Sequence, residues 1–257
     1  MSQDWKRPGW GGAALYAVLA SVVGAIVTMV ARVNVERQRG RRRVARRLPD
    51  GPIIVISNHT SYADGVLLAL ACKRMGRPLR LLATAGVFRA PVIGRLARRL
   101  GFIPVRRGEV SAVQSLDTAA DALAAGEAVG IYPEGRITRD PMNWPERAKT
   151  GAVRLALRTG APIVPVAMVG AHNVVGRRAI FLSLLKNLIR RPRVHVEVGE
   201  PIDVRALVGG VDKPSGGEVR AAADHVMGEL VALVAELRGE TPEHPSGVPA
   251  KALPKSG

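Results

Sequence analysis

A histidine and an aspartate five positions apart stand in the stretch SNHTSYADG, residues 57–65, between one apolar run and the next. An imidazole backed by a carboxylate is a general base: the carboxylate selects the tautomer and stabilises the imidazolium, and the other ring nitrogen takes a proton from a hydroxyl. Inside one regular helix, residues five apart are about 140° out of phase. His59 and Asp64 therefore meet only if His59 lies in the turn, Ser61 caps the helix, and Asp64 reaches back from its first turn. The same spacing has a purely structural meaning, because Ser61-x-x-Asp64 resembles a capping box that ties off a helix and leaves His59 as a turn residue. Taken alone, the stretch favours the structural meaning.

The elements that must position these residues alternate in type. PIIVISN, with its β-branched run, predicts a buried strand, and YADGVLLALACKRM a helix with a basic end. LRLLATA, GFIPVRR, AVGIYPEG, APIVPVAMVG and PRVHVEVGEPI read as further strands. APVIGRLARRL, VSAVQSLDTAADALAAG, TGAVRLALRTG and a last stretch from about Gly217 to Leu237 read as helices. Strands alternating with helices predict one α/β layered domain with a mostly parallel or mixed central sheet. In open sheets of this kind ligands bind beyond the carboxyl ends of the strands, and His59 directly follows IIVIS.

Composition narrows the partners. The 257 residues carry 38 Lys plus Arg against 21 Asp plus Glu, a net charge of +17 that favours polyanions. Only 4% of residues are aromatic, which leaves few platforms for stacking bases, so a membrane surface or a small phosphorylated ligand is preferred to nucleic acid. No Cys/His cluster has zinc-site spacing, no glycine-rich phosphate loop is present, and the lone Cys72 reads as core filler.

From Pro8 to Ala31 there is no charge, and arginines flank the stretch on both sides. Such a helix, at roughly 20 apolar residues, is long enough to anchor in a bilayer, by spanning it or by inserting shallowly. The flanking charges do not orient a single span. The arginines from Arg39 to Arg47 suit anionic headgroups. Residues 1–47 are thus expected to be an anchor and basic linker, 48–239 the α/β domain, and 240–257 a disordered Pro/Gly/Lys-rich tail. AIFLSLLKNLIRRPR has apolar residues at helical spacing; the expectation is a core-facing stripe, with a bilayer-facing helix the smaller alternative. His172, in the loop after a strand, reads as exposed, with lining of the pocket the smaller alternative, and His195 as a strand-face residue.

Four stretches in order, NHTSYADG, GFIPVRRG, YPEGRITRD and IVPVAM, decide between the two meanings of the first. Together they resemble the four successive motifs of the glycerolipid acyltransferase family over roughly residues 50 to 170. The first motif, N-H-x-x-x-x-D, is matched by Asn58, His59 and Asp64. The second ends in an arginine, matched by Arg107 with Arg106 adjacent. The third, commonly P-E-G-T-R, is matched by Pro133, Glu134 and Gly135 and then departs to Arg136 and Ile137, so that either Arg136 or Arg139 supplies its positive charge. The fourth is matched by Val164, Pro165 and Val166.

The resemblance implies a membrane-associated enzyme at the cytoplasmic face of the cell membrane, with His59 as base and Asp64 as its orienter. Asn58, Arg107, Glu134, Gly135, Arg136 and Arg139 fall on acceptor-binding positions. No cofactor is implied; an acyl-CoA or acyl carrier protein thioester serves as co-substrate, and anionic membrane lipids and a lysophospholipid acceptor are the other partners. The acceptor it implies first is 1-acyl-glycerol-3-phosphate, with glycerol-3-phosphate, another lysophospholipid or a glycolipid as alternatives. The chemistry agrees with the residues: a neutral imidazole suits deprotonation of a hydroxyl at cellular pH, and direct attack on a thioester needs no serine or cysteine nucleophile. A non-catalytic, basic membrane-surface protein of the same fold is the rival from another class.

Overall fold

The structure, a computed structural model, describes residues 10–36, 38–39, 42–43, 47–105, 109–175 and 180–241. In chain order the elements are α1 (Trp10–Val30), β1 (Arg32–Glu36), β2 (Gln38–Arg39), β3 (Arg42–Arg43), β4 (Ile53–Ser57), α2 (Asp64–Arg74), β5 (Leu79–Thr84), α3 (Ala85–Arg89) and α4 (Pro91–Arg99). They continue with β6 (Ile103–Val105), α5 (Glu109–Ala124), β7 (Ala128–Ile131), α6 (Gly151–Thr159), β8 (Ile163–Val169), α7 (Ile180–Arg190), β9 (Arg193–Val198), α8 (Val204–Leu207) and α9 (Gly216–Arg238).

Seven strands form one mixed sheet in the order β1-β9-β8-β4-β7-β5-β6. From β8 to β6 all neighbours are parallel, whereas β9 runs antiparallel to β8 and β1 parallel to β9. The expected α/β layered domain is therefore the one found. Ile53, Ile54, Val55 and Ile56 of β4 are all fully buried, as a central parallel strand with both faces covered requires. Side chains alternate between two cores: Ile54 and Ile56 join α5, α6 and α9 residues such as Leu123, Leu155 and Leu230 on one face. Ile53 and Val55 join Leu67, Leu68 and Val27 on the other. In β7, Gly130 is where a side chain cannot fit, since a Cβ there would lie 2.7 Å from Leu79 of β5.

Two features depart from expectation. The stretch assigned to a basic linker begins with strand β1, hydrogen-bonded along the sheet edge with Arg32 opposite Arg193. Its charged ends hid it, and its partner lies far along the chain. The helix α7, expected to turn an apolar stripe inward, leaves Leu182, Leu185, Leu188 and Ile189 between 51% and 90% exposed. It packs beside α1, whose Val27 and Val30 are buried while Val18, Val22, Ile26 and Met29 face solvent. The Arg191 guanidinium ties the pair by donating to the Thr28 carbonyl at 2.5 Å. The disordered-tail expectation for 240–257 falls almost wholly outside the described residues.

Candidate active site

The carboxyl ends of the neighbouring strands β4 and β7 release the two loops that form the site. After β4 the chain leaves the sheet, and His59 Nδ1 lies 2.9 Å from Asp64 Oδ2. A carboxylate only accepts, so Nδ1 carries the hydrogen and Nε2 keeps its lone pair. The same Oδ2 accepts the backbone N–H groups of Thr60 at 2.5 Å and Ser61 at 2.8 Å. The structural and the chemical meanings of the motif thus share one oxygen. Asp64 is 1% exposed and the His59 side chain 19%, so the carboxylate is sealed while the imidazole is reachable. Ser61 does not cap α2 as expected: the N-cap is Ala63, whose N–H the Ser61 oxygen accepts at 3.1 Å while the Ser61 hydroxyl donates to the Val175 carbonyl at 2.7 Å.

Asn58 sits behind the dyad. Its Nδ2 donates to the Met168 carbonyl and its Oδ1 accepts the Met168 N–H, both at 2.8 Å, which prolongs the β4–β8 pairing with a side chain. The side-chain amide thereby satisfies a backbone donor and acceptor that are buried where water is scarce.

Glu134, two residues beyond the β7–loop junction at Tyr132, is 3% exposed. Its Oε1 accepts the His59 N–H and its Oε2 the Glu146 N–H, both at 3.1 Å. Burial pushes its carboxyl up to about 7, against the pull of those two backbone donors. On the other side of the same residue, the Thr138 N–H donates to the His59 carbonyl at 2.7 Å, and the Thr138 hydroxyl reaches Trp144 O. The third motif therefore grips the backbone of His59 at both its N–H and its C=O. Gly135 turns there with φ of 69°, in the left-handed region, and a Cβ at that position would lie 3.0 Å from Nζ of Lys149.

The basic residues divide. Arg136 pairs with Glu146 at 2.9 Å, and its side chain is 42% exposed. The Arg139 N–H donates to the other Glu146 oxygen, leaving an exposed guanidinium with no ion pair among the described residues. Arg107 and the adjacent Arg106 lie outside the described residues, just past β6.

Three residues that the sequence did not place at the site stand beside it. Tyr132 stacks on His59, ring centroids 4.1 Å apart and planes inclined by 16°. Lys149 arches over Gly135, anchored by its N–H to the Pro133 carbonyl. His172, in the 3-10 turn Ala171–Asn173 after β8, is partly buried rather than exposed; burial first and the Arg238 charge second lower its basicity, opposed by the Asp64 charge. The fourth motif supplies the β8 backbone against which Asn58 is held. Cys72 is buried in the α2 core, where desolvation raises its thiol to about 12, so it is inert filler as expected.

The acyltransferase family model matches residues 32–169. Over 127 residues the chain is 30% identical to a chloroplastic 1-acyl-sn-glycerol-3-phosphate acyltransferase of Brassica napus, covering 49% of this chain and 35% of that protein. Against the 1-acyl-sn-glycerol-3-phosphate acyltransferase of Borreliella burgdorferi it is 28% identical, over 60% of this chain and 58% of the relative. Against a lyso-ornithine lipid O-acyltransferase of Pseudomonas aeruginosa it is 33% identical, over 64% and 65%. The match thus spans about a third of the length of the plant protein and under two thirds of the bacterial ones. The crystal structure of the 1-acyl-sn-glycerophosphate acyltransferase from Thermotoga maritima superimposes with a TM-score of 0.64, at 20% identity, covering 93% of this chain and 86% of that one. It shares the fold.

Proposed function

This chain belongs to the acyltransferase family, and from that premise we propose that it moves a fatty acyl group from a thioester to the free hydroxyl of a lysophospholipid, 1-acyl-glycerol-3-phosphate first among acceptors. The observation that carries the reading is the His59–Asp64 pair, with Nδ1 held at 2.9 Å and the imidazole partly open to solvent. In this scheme Nε2 takes the acceptor hydroxyl proton as the oxygen attacks the thioester carbonyl. The tetrahedral intermediate collapses, the C–S bond breaks, and the imidazolium returns the proton to the thiolate of coenzyme A or an acyl carrier protein.

Asn58 and Glu134, expected at acceptor-binding positions, have their polar atoms committed to backbone partners. We assign both a positioning role: Asn58 joins β4 to β8, and Glu134 sets the height of His59 above the sheet. Acceptor phosphate then falls to the exposed cations of the third-motif loop, Arg139 first, together with Arg107 of the second motif, and to Arg136 only after release from Glu146. The engagement of Arg136 with Glu146, and the likeness to a protein named for a lyso-ornithine lipid, favour a second reading in which the acceptor carries no phosphate monoester.

Association with an anionic bilayer is part of the proposal, on the cytoplasmic face where acyl thioesters are supplied. Among the described residues no helix is long and apolar enough to cross a membrane. The exposed apolar residues of α1 and α7, with exposed Arg32, Lys186, Arg190 and Arg193 near them, support burial in one leaflet rather than a span.

The test is thiol release from acyl-CoA by the full chain on vesicles, with lysophosphatidate, lysophosphatidylinositol, glycerol-3-phosphate and lyso-ornithine lipid offered separately. His59→Ala should lower turnover on the preferred acceptor at least about 100-fold. Asp64→Asn should be nearly as severe while melting close to the parent, since asparagine serves in turns of this kind. A His59→Ala enzyme of normal rate removes the mechanism, and absence of acceptor-dependent thiol release with any lysolipid favours a non-catalytic binding protein.

A further inference from the structure

Asp64 holds His59 by one edge. A single hydrogen bond from Nδ1 leaves the imidazole free to swing about the N···O line, and a swing of this kind carries Nε2 away from the acceptor. What meets the ring's face is Tyr132, the residue immediately before Pro133, stacked at 4.1 Å and 16°. Its position follows from the sheet: Ile56 of β4 pairs with Ile131 of β7, so the residues just beyond the two strand ends come together above the sheet edge. The tyrosine hydroxyl is buried and has no hydrogen-bond partner among the described residues. Desolvation first and the Asp64 charge second push the phenol well above its ordinary value of 10, so the group stays neutral. An uncommitted neutral hydroxyl contributes nothing that phenylalanine would lack, and the flat ring face is what remains.

We propose that Tyr132 is a positioning residue for the His59 base, its ring face fixing the imidazole plane set at the edge by Asp64 and favouring the positive charge that His59 acquires during acyl transfer. This rests on His59 being the base. Four contacts then constrain three motions: Glu134 and Thr138 fix the backbone, Asp64 the ring edge, and Tyr132 the ring tilt. An aromatic face is suited to the last because its π cloud is negative where the imidazolium develops charge, an interaction strongest when shielded from water.

Two substitutions separate ring from hydroxyl. Tyr132→Phe should keep kcat within about twofold and melt at or above the parent temperature, since it deletes a buried donor that has no acceptor. Tyr132→Leu should lower kcat about tenfold, the worth of a partly buried cation–π contact, with KM for both substrates little changed. Should the leucine variant fold poorly, Tyr132→Met, also unbranched at Cβ and able to fill the gap, carries the same expectation. Nitrogen-15 NMR of the imidazole should show the Nδ1–H tautomer set by Asp64 in every variant, with sharp lines in the parent and the phenylalanine variant and lines broadened by ring motion in the leucine or methionine variant. Equal losses in the phenylalanine and leucine variants would transfer the role to the hydroxyl and overturn the proposal, as would a leucine or methionine variant with parental kcat and a parental spectrum. A His59→Ala enzyme of normal activity would instead strike at the base assignment underneath, so the two failures are told apart.

Discussion

Replacing Glu134 by glutamine tests the brace beneath the dyad through its dependence on pH. The carboxyl rises from 4.5 to about 7 on folding, because burial outweighs the two backbone N–H groups it accepts. A folded value above the unfolded one means that the folded chain binds more protons between the two. The contribution of this group to stability is therefore complete below about pH 4.5 and is lost as pH climbs through 7. At 1.36 kcal/mol for each unit, the loss across that window is about 3 kcal/mol. The substitution removes the titration and leaves one oxygen for two donors, so a buried N–H of His59 or Glu146 goes unmet at about 1–3 kcal/mol. At pH 5 the variant should unfold at lower urea than the parent, and above pH 7.5 the two midpoints should converge or cross. Turnover should fall at every pH, because the base loses a backbone anchor whether or not stability is restored. Urea midpoints at half-unit steps from pH 4.5 to 8.5, with thiol release measured alongside, carry the test. A variant whose midpoint falls with pH as steeply as the parent's would refute the reasoning, because the slope would then belong to another group.

Arg139→Lys should raise the KM for a phosphate-bearing acceptor about tenfold with the thioester KM unchanged, the loss expected when a guanidinium fork becomes a point charge. Arg136→Lys should do less, since Arg136 already holds Glu146; the reverse order in acceptor KM would assign the phosphate to Arg136. Leu185→Glu with Ile189→Glu, at 56% and 90% exposure, should weaken sedimentation with phosphatidylglycerol vesicles by about tenfold or more and leave the melting temperature within a degree or two. Retained vesicle binding together with a changed oligomeric state would mark the α7 face as a contact between copies.

The contact between His59 and Asp64 was legible because its requirements are local, although its chemical meaning came only from the order of the four motifs. A β-branched run, a polar turn and an apolar helix sit consecutively in the chain, and the distance from His59 to Asp64 is settled within seven residues. The sheet class was legible for the same reason, element by element. The roles of Asn58 and Glu134 were not, because their partners are Met168 and the His59 and Glu146 backbones, and a motif records which residue is present without recording which backbone group it meets. Tyr132 escaped because stacking on His59 depends on the register of β4 against β7, a long-range fact. The capping of α2 by Ser61 failed because the helix begins two residues later than the pattern implies: the Ser61 oxygen accepts the N–H of the N-cap Ala63 itself instead of one inside the first turn. For α7 the periodicity was read correctly and its direction was not, since an apolar stripe looks the same whether a core or a lipid covers it.

The pairing of β1 with β9 also sets an order of events in time. Arg32 and its partner Arg193 are separated by 161 residues, the difference of their numbers. At about 5–20 residues per second of synthesis, the edge strand waits about 8 to 32 s for its neighbour to exist. During that interval α1 has α2 to pack against through Val27 and Leu67, but no β9 beside β1 and no α7 along its flank, so that flank stays uncovered. Ribosome-bound chains arrested before Arg193 should already float with vesicles, and chains that do so only after β9 has emerged would reverse this order. On the proposed bilayer association, the sheet would then close around a helix that reached the lipid first, its strand carboxyl ends oriented by that edge.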